Sequence, residues 1–208
     1  TSVALSMLLA YPLSRKEFYG RKFVTKFIMV TMLFSGGLIP LYFVVKNIGM
    51  YNTRWAIVLP NAVNVWNVII ARTFLQETIT NELYDAAQID GCSDLRFFFE
   101  IVIPLSGAII AVLALFYAVV LWNSYFDALV FLQDKKLYPL QIVLRNILIV
   151  NRTDPSMLSD VAAAARTQGL AETIKYALIV IASVPLLVLY PFVQKYFVKG
   201  VMIGSVKG

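Results

Sequence analysis

The charged side chains of this sequence leave four long gaps, and the gaps predict its architecture. Residues 27–45, bounded by Lys26 and Lys46, are 19 positions without a charge. As a helix they would reach roughly 28 Å, close to the ~30 Å hydrocarbon thickness of a bilayer. Residues 55–71, between Arg54 and Arg72, give 17 more, made more polar by Asn61, Asn64 and Asn67. Residues 101–126 and 176–194 add uncharged runs of 26 and 19, the longer one requiring tilt or an overhang. The pattern predicts four complete membrane-spanning helices. Residues 1–14 are apolar but too short to cross, and no basic region precedes them as in a signal peptide. They read as the end of a truncated span, which would give a complete protein at least five. The expected fold class is an all-α polytopic transmembrane protein, one domain over residues 1–208.

Composition supports the membrane setting and removes several chemistries. Hydrophobic residues make up 60% and charged residues 14% of the chain, and the mean hydropathy is +0.76, values that do not fit a water-soluble surface. The net charge of +6 falls largely between the apolar runs rather than on a basic face, which argues against nucleic acid as a partner. With no histidine and a single cysteine, Cys92, histidine acid–base catalysis, histidine-ligated metal and an internal disulfide are excluded.

The basic residues also orient the chain. Arg15, Lys16, Arg21, Lys22 and Lys26 crowd one short connection, whereas the next holds only Lys46 and Arg54, so the first is expected inside and the second outside. Alternation puts residues 76–100 in the cytoplasm, 127–175 outside, and the tail with Lys195, Lys199 and Lys207 inside. Lys135, Lys136, Arg145, Arg152 and Arg166 on the long external stretch run against the trend, which long loops obey poorly.

The segment 76–100 carries Glu77, Glu82, Asp85, Asp90, Asp94 and Glu100, half of the 12 acids in the chain, against one base, Arg96. Thr80 or Asn81 is placed to cap a helix whose first turn bears Glu82 and Asp85, and Gly91 to end it in a left-handed conformation. Ser93 then caps a second helix that runs towards Pro104. Ala86 and Ala87 are read together as a small-residue patch that lets another backbone come close.

The string ELYDAAQIDGCSDLRFFFEIVIPL, residues 82–105, resembles the cytoplasmic signature of ABC-importer permeases: an acid-Ala-Ala triplet, an Asp-Gly, and a Leu-Pro or Ile-Pro further on. YPLSRKEFYGRK, LYPLQIVLRNIL and the tail QKYFVKGVMIGSVKG are similar to the carbohydrate-uptake branch, the second permease of maltose-type importers. The likeness covers essentially the whole chain. It departs in two respects: Asp85 stands where the family usually has Glu, and the family's first helix and half of its second are absent. The resemblance implies that residues 82–89 form the coupling helix that docks on an ATPase subunit. Glu82, Asp85, Ala86 and Ala87 would contribute to it, with Asp90 and Gly91 as the turn. It further implies a second, different permease, two ATP-binding subunits and an extracytoplasmic solute-binding protein. The setting would be the bacterial cytoplasmic (inner) membrane, with lipid around the chain and a carbohydrate as substrate.

No phosphate-binding loop is present. The nearest sequence, GVMIGSVKG at the end of the chain, has the wrong glycine spacing and no Ser or Thr after Lys207. No cofactor is therefore expected in this chain, ATP and magnesium being left to the partner ATPase, and no enzymatic activity is expected of it. A path for sugar would use amides, carboxylates and aromatic faces. The candidates are Asn61, Asn64 and Asn67 at three-residue spacing with Trp66 beside them, and Trp122, Asn123, Tyr125 and Asp127 near the outer end of the third span. The same types also serve as interhelical hydrogen-bonding groups and interface anchors. On the external stretch Arg145, Arg152 and Arg166 are candidates for contact with the binding protein. The runner-up class, a secondary transporter or channel without an ATPase, should place an ionisable residue inside a span, and the four complete spans hold none.

Overall fold

The computed structural model of the chain describes residues 1–150, 173–191 and 194, and among these the regular elements are all helical. In order they are α1 (Ser2–Ser14), α2 (Arg21–Leu33), α3 (Leu38–Asn47), α4 (Trp55–Val58), α5 (Val65–Thr78) and α6 (Asn81–Ile89). There follow α7 (Asp94–Phe97), a π turn (Phe98–Val102), α8 (Ile103–Leu105), α9 (Gly107–Trp122), α10 (Tyr125–Phe131) and α11 (Leu140–Val150). The last is α12 (Thr173–Pro191).

The main core forms where α1 packs along α5 and both meet α9. Met7, Ala10 and Leu13 recur at three-residue spacing on α1, and Val68, Ala71 and Leu75 line one face of α5, as a helical period requires. Ala10 and Ala71 are wholly buried, and small side chains there let the helix backbones approach closely. Ile109, Leu113 and Tyr117 of α9 close the third side, while Phe97, Phe98 and Val102 extend the same core towards α6. One hydroxyl ties the three helices together. Tyr117 Oη lies 2.6 Å from Ser6 Oγ of α1 and accepts the backbone N–H of Asn64 at 3.0 Å. Asn64 in turn caps α5, its Oδ1 accepting the Asn67 N–H at 3.2 Å.

Two smaller apolar clusters lie around α10: Ile57, Ala128, Leu132 and Ile142 in one, Val45, Ala56 and Phe131 in the other. Asn52 clips them to the loop before α4. It adopts φ +57°, a region that asparagine tolerates better than most residues. Its N–H donates to the Phe131 carbonyl at 2.9 Å, and its Oδ1 accepts from the N–H groups of Gln133 at 2.8 Å and Asp134 at 2.9 Å.

Three of the four uncharged runs, each expected to make one complete crossing, are not single straight helices among the described residues. Residues 27–45 divide into α2 and α3, bent by 115°. The break falls at Gly36 and Gly37, where Gly37 takes φ +82°, open to glycine and strained for a residue with a Cβ. In residues 55–71, α4 stops before Pro60 and the helix resumes only at Val65, continuing through Arg72 to Thr78. In residues 101–126 the helix turns by 79° at Ser106, between α8 and α9. Pro104 has no N–H to return to the carbonyl four residues earlier, and a π turn lies immediately before it. Among the described residues one helix, α12, with a mean hydropathy of 2.0, is long and apolar enough to cross by itself, or up to three spans form if each bent pair counts as one.

Two substitutions test these ties. Tyr117→Phe should lower the stability of the purified protein by about 1 kcal/mol, because Ser6 and the Asn64 N–H lose a shared partner. Asn52→Ala should cost about 1–2 kcal/mol by removing the acceptor of two N–H groups at a positive-φ position. Thermal unfolding in detergent reads both, and an unchanged Tm for either would show that the tie contributes nothing.

Candidate functional site

The acidic segment folds as a short helix held between two longer ones. Only Ile79 and Thr80 separate α5 from α6. Thr80 is extended (φ −71°, ψ 159°) at the N-cap position, and its hydroxyl with the backbone N–H of Glu82 holds the Glu82 carboxyl below its ordinary range. A carboxylate in that first turn also suits the positive end of the helix dipole. The helix ends as its residues predict. Gly91 takes φ +73°, while the Cys92 N–H returns to the Ala87 carbonyl at 2.9 Å and the Gly91 N–H to that of Gln88 at 3.0 Å, the closure expected of a left-handed C-terminal residue. A Cβ at Gly91 would meet nothing within 4 Å, so the demand for glycine is one of backbone conformation alone. Ser93 Oγ accepts the Arg96 N–H at 3.4 Å and starts α7. Arg96 Nε then binds Glu100 Oε2 at 2.8 Å, which raises the guanidinium pKa further.

The two faces of α6 differ. Leu83, Tyr84 and Ala87 turn towards the main core, whereas Glu82, Asp85, Ala86 and Asp90 are exposed. The pairing of Ala86 with Ala87 as one small-residue patch is therefore corrected: neighbours on a helix point about 100° apart, and Ala87 is buried beneath the helix while Ala86 lies on its outer surface. Two apolar residues that the sequence reading did not single out are also exposed, Ile89 of α6 at 87% and Leu95 of α7 at 72%. The result is a rim of acids around exposed aliphatic side chains.

Beneath α6 lies a cluster that sequence reasoning also missed. Arg15, the residue that ends α1, stacks its guanidinium 3.7 Å from the centroid of the Tyr84 ring. The Tyr84 hydroxyl donates to Asp94 Oδ1 at 2.6 Å, and Phe97 packs edge-on against the same ring, centroids 5.2 Å apart. The hydrogen bond to the Asp94 carboxylate pushes the Tyr84 pKa up to about 12, so the phenol stays protonated at neutral pH. Tyr11, Phe18, Tyr19 and Glu17 join these residues around a recess of about 330 Å³. The only signal in the sequence was Arg15 itself, counted there as one of a run of topogenic bases.

The path candidates are dispersed rather than collected. Asn61, Asn64 and Asn67 do not share a helix face, because α5 begins only at Val65. Asn61 sits in the turn after Pro60 and donates from Nδ2 to Asp127 Oδ2 at 2.8 Å, Asn64 is the cap of α5, and Asn67 is buried. Trp66 is exposed. Trp122 Nε1 donates to the Ala182 carbonyl of α12 at 3.1 Å, and Asn123 Nδ2 to Val119 of its own helix at 2.9 Å. Tyr125 supports Arg145 of α11, whose guanidinium lies 5.3 Å from the ring centroid. The structure thus joins Asn61 with Asp127 and Tyr125 with Arg145, and gives Asn64, Asn67, Trp122 and Asn123 bonding or packing roles. Arg152 and Arg166 lie outside the described residues.

Residues 2–203 match the family described as the binding-protein-dependent transport system inner membrane component. Over 207 residues the chain is 45% identical to the polygalacturonan/rhamnogalacturonan transport system permease protein YtcP of Bacillus subtilis, covering all of this chain and 71% of that one. It is also 45% identical to Protein LplC of the same organism, covering 96% of this chain and 66% of that protein. The melibiose/raffinose/stachyose import permease protein MelC of Bacillus subtilis is 34% identical over 99% of this chain and 70% of its own length. The chain thus spans about two thirds of the length of these relatives. Among solved structures, a chain from the crystal structure of a bacterial ABC transporter involved in import of the acidic polysaccharide alginate superposes with a TM-score of 0.79 at 30% identity, covering 94% of this chain and 69% of that one. By that match over residues 2–203 and by these relatives, this chain belongs to the inner-membrane permease components of binding-protein-dependent ABC importers.

Proposed function

We propose that this chain is the membrane-embedded half of an ATP-driven importer whose cargo is an acidic oligosaccharide, and that α6 is where an ATPase subunit docks. The observation that carries the reading is the outer face of α6. Ala86 and Ile89 lie among Glu82, Asp85 and Asp90 on a helix closed at its C-terminal end by Gly91 and Cys92, a shape suited to seat in a partner groove. The chain itself supplies no nucleotide chemistry. Two ATP-binding subunits would hold ATP and magnesium and hydrolyse the nucleotide, a second permease would complete the path, and an extracytoplasmic binding protein would deliver the sugar. Residues 76–100 lie on the cytoplasmic side in this reading, and α10 and α11 on the opposite side. Closure of the ATPases would displace α6 and, through α5 and α7, reorient the helices that line the path.

An acidic cargo is supported by two of the relatives, one named for polygalacturonan and rhamnogalacturonan and one for alginate. Within the chain it is supported by Arg145, whose guanidinium is held over the Tyr125 ring and remains available to carboxylates, which pair well with that planar fork.

Purification of the full-length subunit from its native membrane in mild detergent tests the docking assignment. The wild type should bring an ATPase subunit and a second permease, and Ala86→Arg should reduce recovery of the ATPase by about tenfold or more, since the long arginine side chain would hold apart a contact that alanine lets close. Equal recovery from both forms would remove α6 as the docking site. The cargo is tested by uptake of labelled trigalacturonate in cells lacking the gene and in cells complemented with it. Uptake should depend on the gene and resist excess raffinose, and competition by raffinose at equal concentration would rule out an acidic specificity.

A further inference from the structure

The coupling surface has to move membrane helices, and the chain connects α6 covalently to only two of its neighbours, α5 through residues 79–80 and α7 through residues 90–93. The helix α1 is reached differently. It ends at Arg15, whose extended backbone (φ −78°, ψ 139°) sends its N–H back to the Pro12 carbonyl, so the side chain projects from a fixed point. That side chain is 8% exposed. It stacks on Tyr84 of α6, Tyr84 donates to Asp94 at the first turn of α7, and Gln88 of α6 donates to the Cys92 carbonyl of the intervening turn at 3.1 Å. Cation, ring and carboxylate thus stand in series across three elements.

We propose that Arg15 is a positioning residue that, through Tyr84 and Asp94, makes the end of α1, the helix α6 and the start of α7 move as one body when an ATPase displaces α6. The proposal rests on the docking role proposed above for α6.

Three features support it. Arg15 Nη2 is buried without a hydrogen-bond partner, and Glu17, its ion-pair partner, meets only Nε at 3.5 Å. A guanidinium so placed is held by its stacking on the ring rather than by saturation of its donors, and burial of its unpaired N–H is unfavourable in itself. Accepting the phenol's hydrogen bond also places the negative Asp94 carboxylate at the far edge of the ring, which reinforces the ring's attraction for a cation on its face. The Tyr84 pKa of about 12 keeps the phenol protonated through the physiological range, so the linkage does not come and go with pH. Behind it, α1 packs along α5 over its length, and Gln76 Nε2 of α5 donates to the Ser14 carbonyl at 3.4 Å, so a displacement received at Arg15 passes into the main core.

The test measures motion within the assembled, full-length complex and needs no sugar. Spin labels at Leu5→Cys on α1 and Asn81→Cys on α6, in a Cys92→Ser background otherwise free of reactive cysteine, report one distance with and without ATP and vanadate. In the wild-type sequence that distance is expected to be single and unchanged by nucleotide. In Arg15→Ala the nucleotide should shift it, the displaced population rising roughly fivefold, and Arg15→Lys, which keeps a cation over the ring, should restore the unchanged distance. Tyr84→Phe should leave the Leu5–Asn81 distance alone and free α7, read as a nucleotide-dependent shift between labels at Leu5 and Leu95. A wild-type distance that moves with nucleotide, an Arg15→Ala distance that does not, or no rescue by lysine would overturn the proposal. Should Arg15→Ala fail to assemble, the Tyr84→Phe measurement decides it alone. Loss of the ATPase from Ala86→Arg together with wild-type behaviour of Arg15→Ala refutes the positioning role and leaves docking at α6 intact. Absence of an ATPase subunit from the wild-type complex overturns both.

Discussion

The approach of α1 to α5 is the contact that everything at the α6 end of the molecule depends on. Ala10 and Ala71 are fully buried at it, and between helices in a membrane such small residues matter more than large ones, because lipid is as apolar as leucine and association is driven by close packing and hydrogen bonding. The approach brings Ser6 to within 2.6 Å of Tyr117 and sets the end of α1 beside the end of α5. Arg15 is thereby delivered beneath α6, where Tyr84 meets it. A helix pair of two or three turns' contact thus places a cation that lies 69 positions away in the chain from its aromatic partner.

Breaks in the other helices are governed by a second constraint, that backbone polar groups out of reach of water must find partners within the protein. Each interruption is accompanied by one. Ser35 Oγ accepts the Gly37 N–H at 3.2 Å between α2 and α3, and Asn61 Nδ2 donates to the Ile57 carbonyl at 3.2 Å across the Pro60 turn. Asn64 caps the helix that follows, and the Ser106 N–H returns to Val102 and Ile103 before the chain turns into α9. Asn61 and Asn64, two of the four amides suited to a sugar path, are engaged in this way, closing backbone that Pro60 has opened.

The nine-residue helix α6 carries different chemistry on its outer and inner faces. The outer side is acidic and aliphatic, with Glu82, Asp85, Asp90 and Ile89 exposed. The inner side is aromatic, with Tyr84 between Arg15, Phe97 and Asp94. The proposed docking surface and the proposed relay are thereby kept apart, and each is open to substitution without removing the other.

The sequence by itself determined the helical class, the membrane setting and the whole local grammar of the acidic segment. Thr80, Gly91 and Ser93 stand where the helix ends fall, because capping and left-handed backbone are properties of single residues and their immediate neighbours. Composition did the same for excluded chemistry. What the tertiary structure alone decided are matters of direction and distance between segments. Ala86 and Ala87 are adjacent in the chain, yet one is exposed and the other buried against the core. The three asparagines at even spacing share no face, since Pro60 delays the helix they were expected to occupy. An uncharged run of the right length is likewise compatible with a straight span or with one bent at Gly37 or Ser106, because hydropathy records burial in lipid and carries no information about axis direction. Arg15 reads in sequence as one base among five, and only packing of α1 against α5 turns it from a topological marker into the residue that meets Tyr84.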